Sequence, residues 1–189
     1  MLKLKKLQQR KQEEQNSGIN GNSSIPPSIL RAKRDMQEYE NIPGVEVKYD
    51  PGNRPMHVSL VVSPVEGYYA GGKFQFECEI PQDYPHNAPE FRCLNKIYHP
   101  NIDLEGHVCL NILRSDWKPT LSLQLVFAGI LHLFLQPNPT DPLNKDAAND
   151  LAKTPEEFAR HVRNSMAGGS FNGVAFDRVE NLSSYNGYY

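Results

Sequence analysis

Little in this chain would anchor it to a membrane or staple it with disulfides. It has three cysteines (78, 93 and 109), an odd number with no pair at metal-ligand spacing. The longest apolar stretch, Leu121–Leu135, is fifteen residues with Ser, Gln, Gly and His inside it. That is too short and too interrupted to span a bilayer. The first apolar residues are broken by lysines every second or third position, which is not the pattern of a secretory signal. These features predict a reducing, soluble compartment, cytoplasmic or nuclear. The formal net charge is only -2, which argues against nucleic acid as the partner.

What charge there is lies unevenly. Residues 1–34 carry eight Lys/Arg against two Glu, a net +6, and the remainder is net -8. A basic arm on an acidic body reads either as a docking peptide for an acidic partner or as a solubilising tail. Within the arm, Leu4 and Leu7 with Met1 or Leu2 form one apolar stripe of a short basic helix, too short to be stable alone. Residues 15–27 are Asn, Ser, Gly and Pro, the composition of a flexible linker. With 189 residues and 39% hydrophobic content the rest suffices for one domain with a core.

That domain begins with a helix from Ser28, which stands after Pro26-Pro27 as a candidate N-cap, and it should stop before Pro43-Gly44. The period then changes to two. Val45–Tyr49, Met56–Ser63, Phe74–Ile80 and Glu90–Leu94 read as strands of an antiparallel meander, with Cys78 on a buried face. Residues 95–119 have little periodicity and much turn chemistry, and a long irregular segment in a compact domain is usually functional. Leu121–Leu135 reads as a central helix buried on nearly every side. A helix near residues 143–152 follows, and then one opened by the capping box Thr154-Pro155-Glu156-Glu157 with Phe158, Val162 and Met166 on one face. The tail from Ser170 is Gly/Asn/Ser/Tyr-rich and reads as loose at its end, residues 181–189. The fold class is α+β: one helix, four strands, a long loop and three further helices.

Cys109 lies inside the irregular segment. A lone cysteine is more often a small buried hydrophobe than a nucleophile, but two neighbours suit acyl transfer. Asn101, eight residues upstream, could donate a hydrogen bond to a tetrahedral oxyanion, or could lock its own turn. Asp141 could orient or deprotonate an attacking lysine, or could simply cap a helix before Pro142. His99 invites a cysteine-protease reading as the base for Cys109, but thiol–thioester exchange needs no strong base, and between Tyr98 and Pro100 it reads better as a packed, loop-fixing residue. His107 reads as a surface residue. No cofactor or metal is implied, because His107-x-Cys109 has no second pair.

The run Ile97-Tyr98-His99-Pro100-Asn101-Ile102-Asp103, then Gly106-x-Val108-Cys109-Leu110, Ile112-Leu113 and Trp117-Lys118-Pro119, resembles the ubiquitin-conjugating enzyme family. Tyr84-Pro85, Pro89 and Pro137-Asn138-Pro139-x-Asp141-Pro142-Leu143 match the same family, and the likeness spans residues 28–180. Asn111 after Cys109-Leu110, the continuation Arg114-Ser115-Asp116-Trp117 and the Met-Leu-Lys-Leu start are most similar to the branch serving the cullin-modifying Nedd/Rub type of ubiquitin-like protein. The resemblance implies a thioester on Cys109, Asn101 stabilising the oxyanion or holding the loop, and Asp141 acting on the incoming lysine. It implies a ligase-facing edge of His86, Trp117 and Pro119, and Arg31, Lys33 and Arg34 facing the activating enzyme. It further implies that the arm (residues 1–27, with Met1, Leu2, Leu4 and Leu7) docks on that activating enzyme and on a co-ligase. The modifier, a RING-type ligase and a cullin substrate complete the partners; the 181–189 tail matches nothing in the family. Ubiquitin itself as the modifier, a non-catalytic adaptor and a thiol hydrolase are the competing readings.

Overall fold

The computed structural model describes residues 25–179. The expectations for the arm up to residue 24 and for the 181–189 tail therefore lie outside the described residues.

Helix α1 (Pro27–Gln37) is followed by strands β1 (Val45–Tyr49), β2 (His57–Val62), β3 (Phe74–Glu79) and β4 (Glu90–Cys93), which pair antiparallel in the order β1-β2-β3-β4. The pleat alternates as the sequence predicts: Phe74, Phe76 and Cys78 face the core while Gln75 and Glu79 are exposed. A single 3-10 turn (Asn111–Leu113) interrupts the long irregular segment. Helices α2 (Leu123–Leu135), α3 (Lys145–Lys153) and α4 (Pro155–Met166) complete the expected set.

Two local expectations are corrected. Ser28 is not the N-cap: Pro26 occupies that place and Pro27 sits at the first helical position, where its fixed φ suits the helix, so Ser28 turns inward and is buried. The helix ends at Gln37, before Pro43 as expected, and Tyr39 packs edge-on against Phe127 at 5.7 Å. Thr154 stands at the N-cap of α4 but its hydroxyl donates back to the Asp150 carbonyl of the preceding helix (3.4 Å), so no capping box forms. After α4, Ser170–Phe171 (β5) and Val174–Ala175 (β6) form a hairpin turning through Asn172-Gly173, which the sequence did not show, and beyond it Phe176 and Val179 are buried. Alternation over two-residue strands is too short to register in a sequence.

Helix α2 is buried along one face (Leu123, Val126, Phe127, Ile130, Leu133, Phe134) and not all round, for Leu125 is 45% exposed. Its Gly129 has a positional purpose. A Cβ there would lie 3.0 Å from Leu110 and 3.2 Å from Ile112, so glycine lets the segment just after Cys109 lie directly on the helix.

Helix α1 is tied to the rest by a buried carboxylate. Asp35 (4% exposed) accepts from Arg31 Nε (2.7 Å), from the Tyr84 hydroxyl and from the Leu123 backbone N–H (3.3 Å). The same Arg31 donates to the carbonyls of Pro119 (2.8 Å) and Leu121 (2.7 Å). Arg31 is thus an internal brace and is not free to face a partner, whereas Arg34 is exposed and Lys33 half-buried. Removing one partner of a buried pair strands the other charge. Arg31→Met is expected to cost about 3 kcal/mol in urea unfolding, and Arg34→Ala, whose pair with Glu38 is exposed, far less. Equal small losses would show that Asp35 does not need its arginine.

Candidate active site

Cys109 is set in place by the backbone on both sides of it. Gly106 adopts φ +89° with its would-be Cβ 2.1 Å from the Cys93 carbonyl oxygen, so only glycine allows this approach to β4, where the Cys93 N–H donates to the Gly106 carbonyl (2.8 Å). Arg92 and His107, and Ile102 and Val108, form isolated bridges. The Cys109 N–H donates to the Asn101 carbonyl at 2.8 Å. Cysteine and asparagine, eight residues apart, are therefore neighbours.

Asn101 is 2% exposed, and its side chain is fully engaged. Nδ2 donates to the Asn138 carbonyl (2.8 Å) and lies 3.5 Å from the Asp141 carbonyl; Oδ1 accepts from the Asn138 N–H (2.9 Å). The Leu143 and Asn144 N–H groups both donate to the Pro100 carbonyl (2.9 and 3.0 Å). These bonds staple the 99–101 turn to the 138–144 loop. Of the two sequence readings of Asn101, this geometry matches loop-holding: both its polar atoms are spent on backbone.

The staple delivers Asp141 to the cysteine. Asp141 is not a helix cap, since Asn144 caps α3 by accepting from the Ala147 N–H (3.1 Å). The Asp141 carboxylate instead accepts from the Cys109 thiol at 3.3 Å, with Arg114 Nη1 4.0 Å away. The thiol is 5% exposed and the carboxylate 70% exposed, so a nucleophile reaching the sulfur passes the carboxylate. Burial pushes the Cys109 thiol up from its ordinary value, the Asp141 hydrogen bond adds to this, and Arg114 opposes it. Arg114 and Asn138 stand in the family-like runs of the sequence, but nothing local to either indicates its role beside Cys109.

The other cysteines are core residues. Cys78 is wholly buried and its pKa is driven far up by burial; Cys93, 4% exposed, is pushed up to about 12. His99 is 0% exposed, stacked on Tyr69 at 4.9 Å, with Nε2 3.1 Å from the Leu133 carbonyl and Nδ1 accepting from the Asn101 N–H (3.0 Å). Burial pushes it down to about 3, so it stays neutral, and both ring nitrogens are occupied. It fixes the loop and serves no base for Cys109. His107 is exposed and pairs with Asp103 at 2.8 Å.

Trp117 Nε1 donates to the Pro85 carbonyl (2.8 Å) and its ring lies 5.9 Å from Tyr84; His86, next along the chain from Pro85, is exposed, as is Pro119, whose carbonyl accepts from Arg31. Among the described residues no helix is long and apolar enough to cross a membrane.

Residues 31–166 match the family model described as "Ubiquitin-conjugating enzyme". The chain is 48% identical over 177 residues to the NEDD8-conjugating enzyme ubc12 of Schizosaccharomyces pombe, covering 93% of this chain and 99% of the relative. It is 44% identical over 179 residues to the corresponding enzyme of Yarrowia lipolytica, covering 95% and 98%. The solved structure of Saccharomyces cerevisiae Ubc12 superposes with a TM-score of 0.80 at 43% identity, covering 94% of this chain and 98% of that one.

Proposed function

The chain belongs to the ubiquitin-conjugating enzyme family, and from that premise we propose that it carries NEDD8 as a thioester on Cys109 and passes it to a substrate lysine. The observation that carries this reading is the Cys109 thiol at 3.3 Å from a carboxylate that a buried asparagine holds in place, in a chain at 48% identity with an enzyme named for NEDD8 conjugation.

Two acyl transfers make up the reaction. In the first, the Cys109 thiolate attacks the thioester carbonyl of NEDD8 on the activating enzyme. The new carbon–sulfur bond forms as the activating enzyme's cysteine leaves as thiolate, and the Cys109 proton goes to solvent. In the second, a neutral lysine amine attacks the Cys109 thioester, the Cys109 thiolate leaves, and an isopeptide bond remains. The incoming lysine arrives as an ammonium with a pKa of about 10.4, so it must shed a proton. Asp141, exposed and beside the sulfur, is the group placed to hold the ammonium and take that proton or pass it on. No cofactor enters either step.

The partners follow from the same reading: the NEDD8 activating enzyme, contacted by the basic arm and by Lys33 and Arg34; a RING-type ligase on the His86–Trp117–Pro119 edge; a co-ligase at the first residues; and a cullin as substrate, in the cytoplasm or nucleus. The test is charging with ATP, run on a non-reducing gel, with the NEDD8 activating enzyme and NEDD8 beside the ubiquitin pair. A thiol-sensitive band with the NEDD8 pair alone is the expected result. A band with ubiquitin alone would keep the chemistry and change the modifier; no band with either would return the adaptor and hydrolase readings.

A further inference from the structure

A groove of about 800 Å³ runs from the outer face of β3 and β4 to the residues flanking Cys109. Its far wall carries Glu77, Glu79 and Glu90, and its near end Val108, Leu113, Arg114 and Leu143. Val108 precedes Cys109 in the chain and Arg114 is the residue 4.0 Å from the Asp141 carboxylate, so the groove ends beside the Cys109–Asp141 pair.

The acidic wall is short of positive partners. Glu79 and Glu90 stand directly opposite each other across β3 and β4, a like-charge pairing that destabilises a sheet. Glu77 faces Arg92, but Arg92 Nε is turned to the Glu105 carbonyl at 2.9 Å. Arg54 reaches only Glu79, at 3.5 Å and exposed. Beneath them His57, 7% exposed, aims Nε2 between Glu77 and Glu79 at 3.7 Å from an oxygen of each, with no hydrogen-bond partner. A repulsive pair and an unpartnered buried nitrogen at one place are a local cost that a fold does not need. An ammonium or guanidinium seated there would relieve the repulsion between the carboxylates.

We propose that this groove seats the polypeptide around the acceptor lysine and selects segments in which that lysine is flanked by further Lys or Arg. Continuity with Cys109 favours an acceptor segment over any other occupant, and the charge favours a basic one. The inference rests on the acyl-transfer reading above, because it describes the sequence around the acceptor lysine that the reading leaves open.

The test uses the full chain charged with NEDD8 and chased, in single turnover at low ionic strength, with peptides of equal length. A peptide whose lysine is flanked by Lys and Arg is expected to discharge the thioester about tenfold faster than one flanked by Ser, an advantage that shrinks as salt rises. The Glu77→Gln, Glu79→Gln, Glu90→Gln triple variant should lose that preference. Its charging rate and its cleavage by hydroxylamine, a small uncharged nucleophile, should match the unaltered chain. Should the triple variant fold poorly, Glu90→Lys alone is expected to shift the preference toward Glu-flanked peptides. Equal rates with both peptides in the unaltered chain, or a preference that survives in the triple variant, would overturn the proposal. So would a preference seen only after residues 1–24 are deleted, which would give the groove to the chain's own basic arm. Charging is scored before any peptide is added, so a failure to form the thioester counts separately, against the acyl-transfer reading itself and the proposal with it.

Discussion

Asp141→Asn is expected to slow discharge of the charged enzyme to lysine by about a hundredfold, the usual size of a lost proton-transfer group, while leaving charging intact. The free thiol should respond differently from the thioester. In the uncharged enzyme the Asp141 carboxylate accepts from the Cys109 thiol and its negative charge opposes a thiolate, and both hold the thiol pKa up. Asparagine has the same shape without the charge, so the Cys109 pKa should fall toward its ordinary value of about 8.5. Alkylation by iodoacetamide then becomes faster at neutral pH, and the midpoint of its pH profile moves down. Arg114→Gln should move that midpoint up, because the Arg114 charge favours the thiolate. Once the thioester has formed there is no thiol to tune, and only the effect on the incoming amine remains. A lower alkylation midpoint with unchanged discharge would confine Asp141 to adjusting the sulfur.

Asn101→Ala is expected to act through Asp141. The substitution removes the bonds to both the N–H and the carbonyl of Asn138 and the contact with the Asp141 carbonyl. Asn138 is itself exposed, so water can replace part of what is lost, and the stability cost should be about 1–2 kcal/mol in urea unfolding. The larger effect is on rate. An unpinned 138–141 loop lets the carboxylate wander from the sulfur, so discharge should drop nearly as far as in Asp141→Asn, with charging preserved. The decisive measurement is the double variant. If Asn101 only positions Asp141, adding Asn101→Ala to Asp141→Asn costs little more. An oxyanion donor would instead multiply the loss by a further factor of about 10²–10³, and that outcome would restore the oxyanion role.

The brace around Asp35 ties distant surfaces together. Arg31, Tyr84 and the N-terminus of α2 meet on one carboxylate, and Tyr84 belongs to the loop whose Pro85 carbonyl receives Trp117. The first helix and the edge of His86 and Trp117 therefore rest on shared packing. A residue that a positively charged helix seems to offer to a partner is instead part of the frame.

The order of elements, the meander and the helix start at Pro155 are local matters, legible in the sequence without the fold. Period-two alternation in Phe74–Glu79 and period-3.6 spacing in Phe158, Val162 and Met166 require no knowledge of the rest of the chain, because each pattern only states which face is buried. The motif around His99, Asn101 and Cys109 was legible for the same reason: its residues are close in sequence, and Gly106 and Pro100 mark the turns between them. Tertiary structure alone decided what those residues do. Asn101 offers one amide to any of several acceptors, and only the approach of the 138–144 loop, thirty-seven residues on, shows where it is spent. Asp141 is a plausible cap until Asn144 is seen capping α3 and Cys109 is found beside the carboxylate. Arg31 looks like a surface charge until Asp35, the Pro119 and Leu121 carbonyls and Tyr84 surround it. The physical reason is common to all three: a polar side chain is defined by its partner, and when that partner comes from a distant part of the chain, no local pattern records the choice.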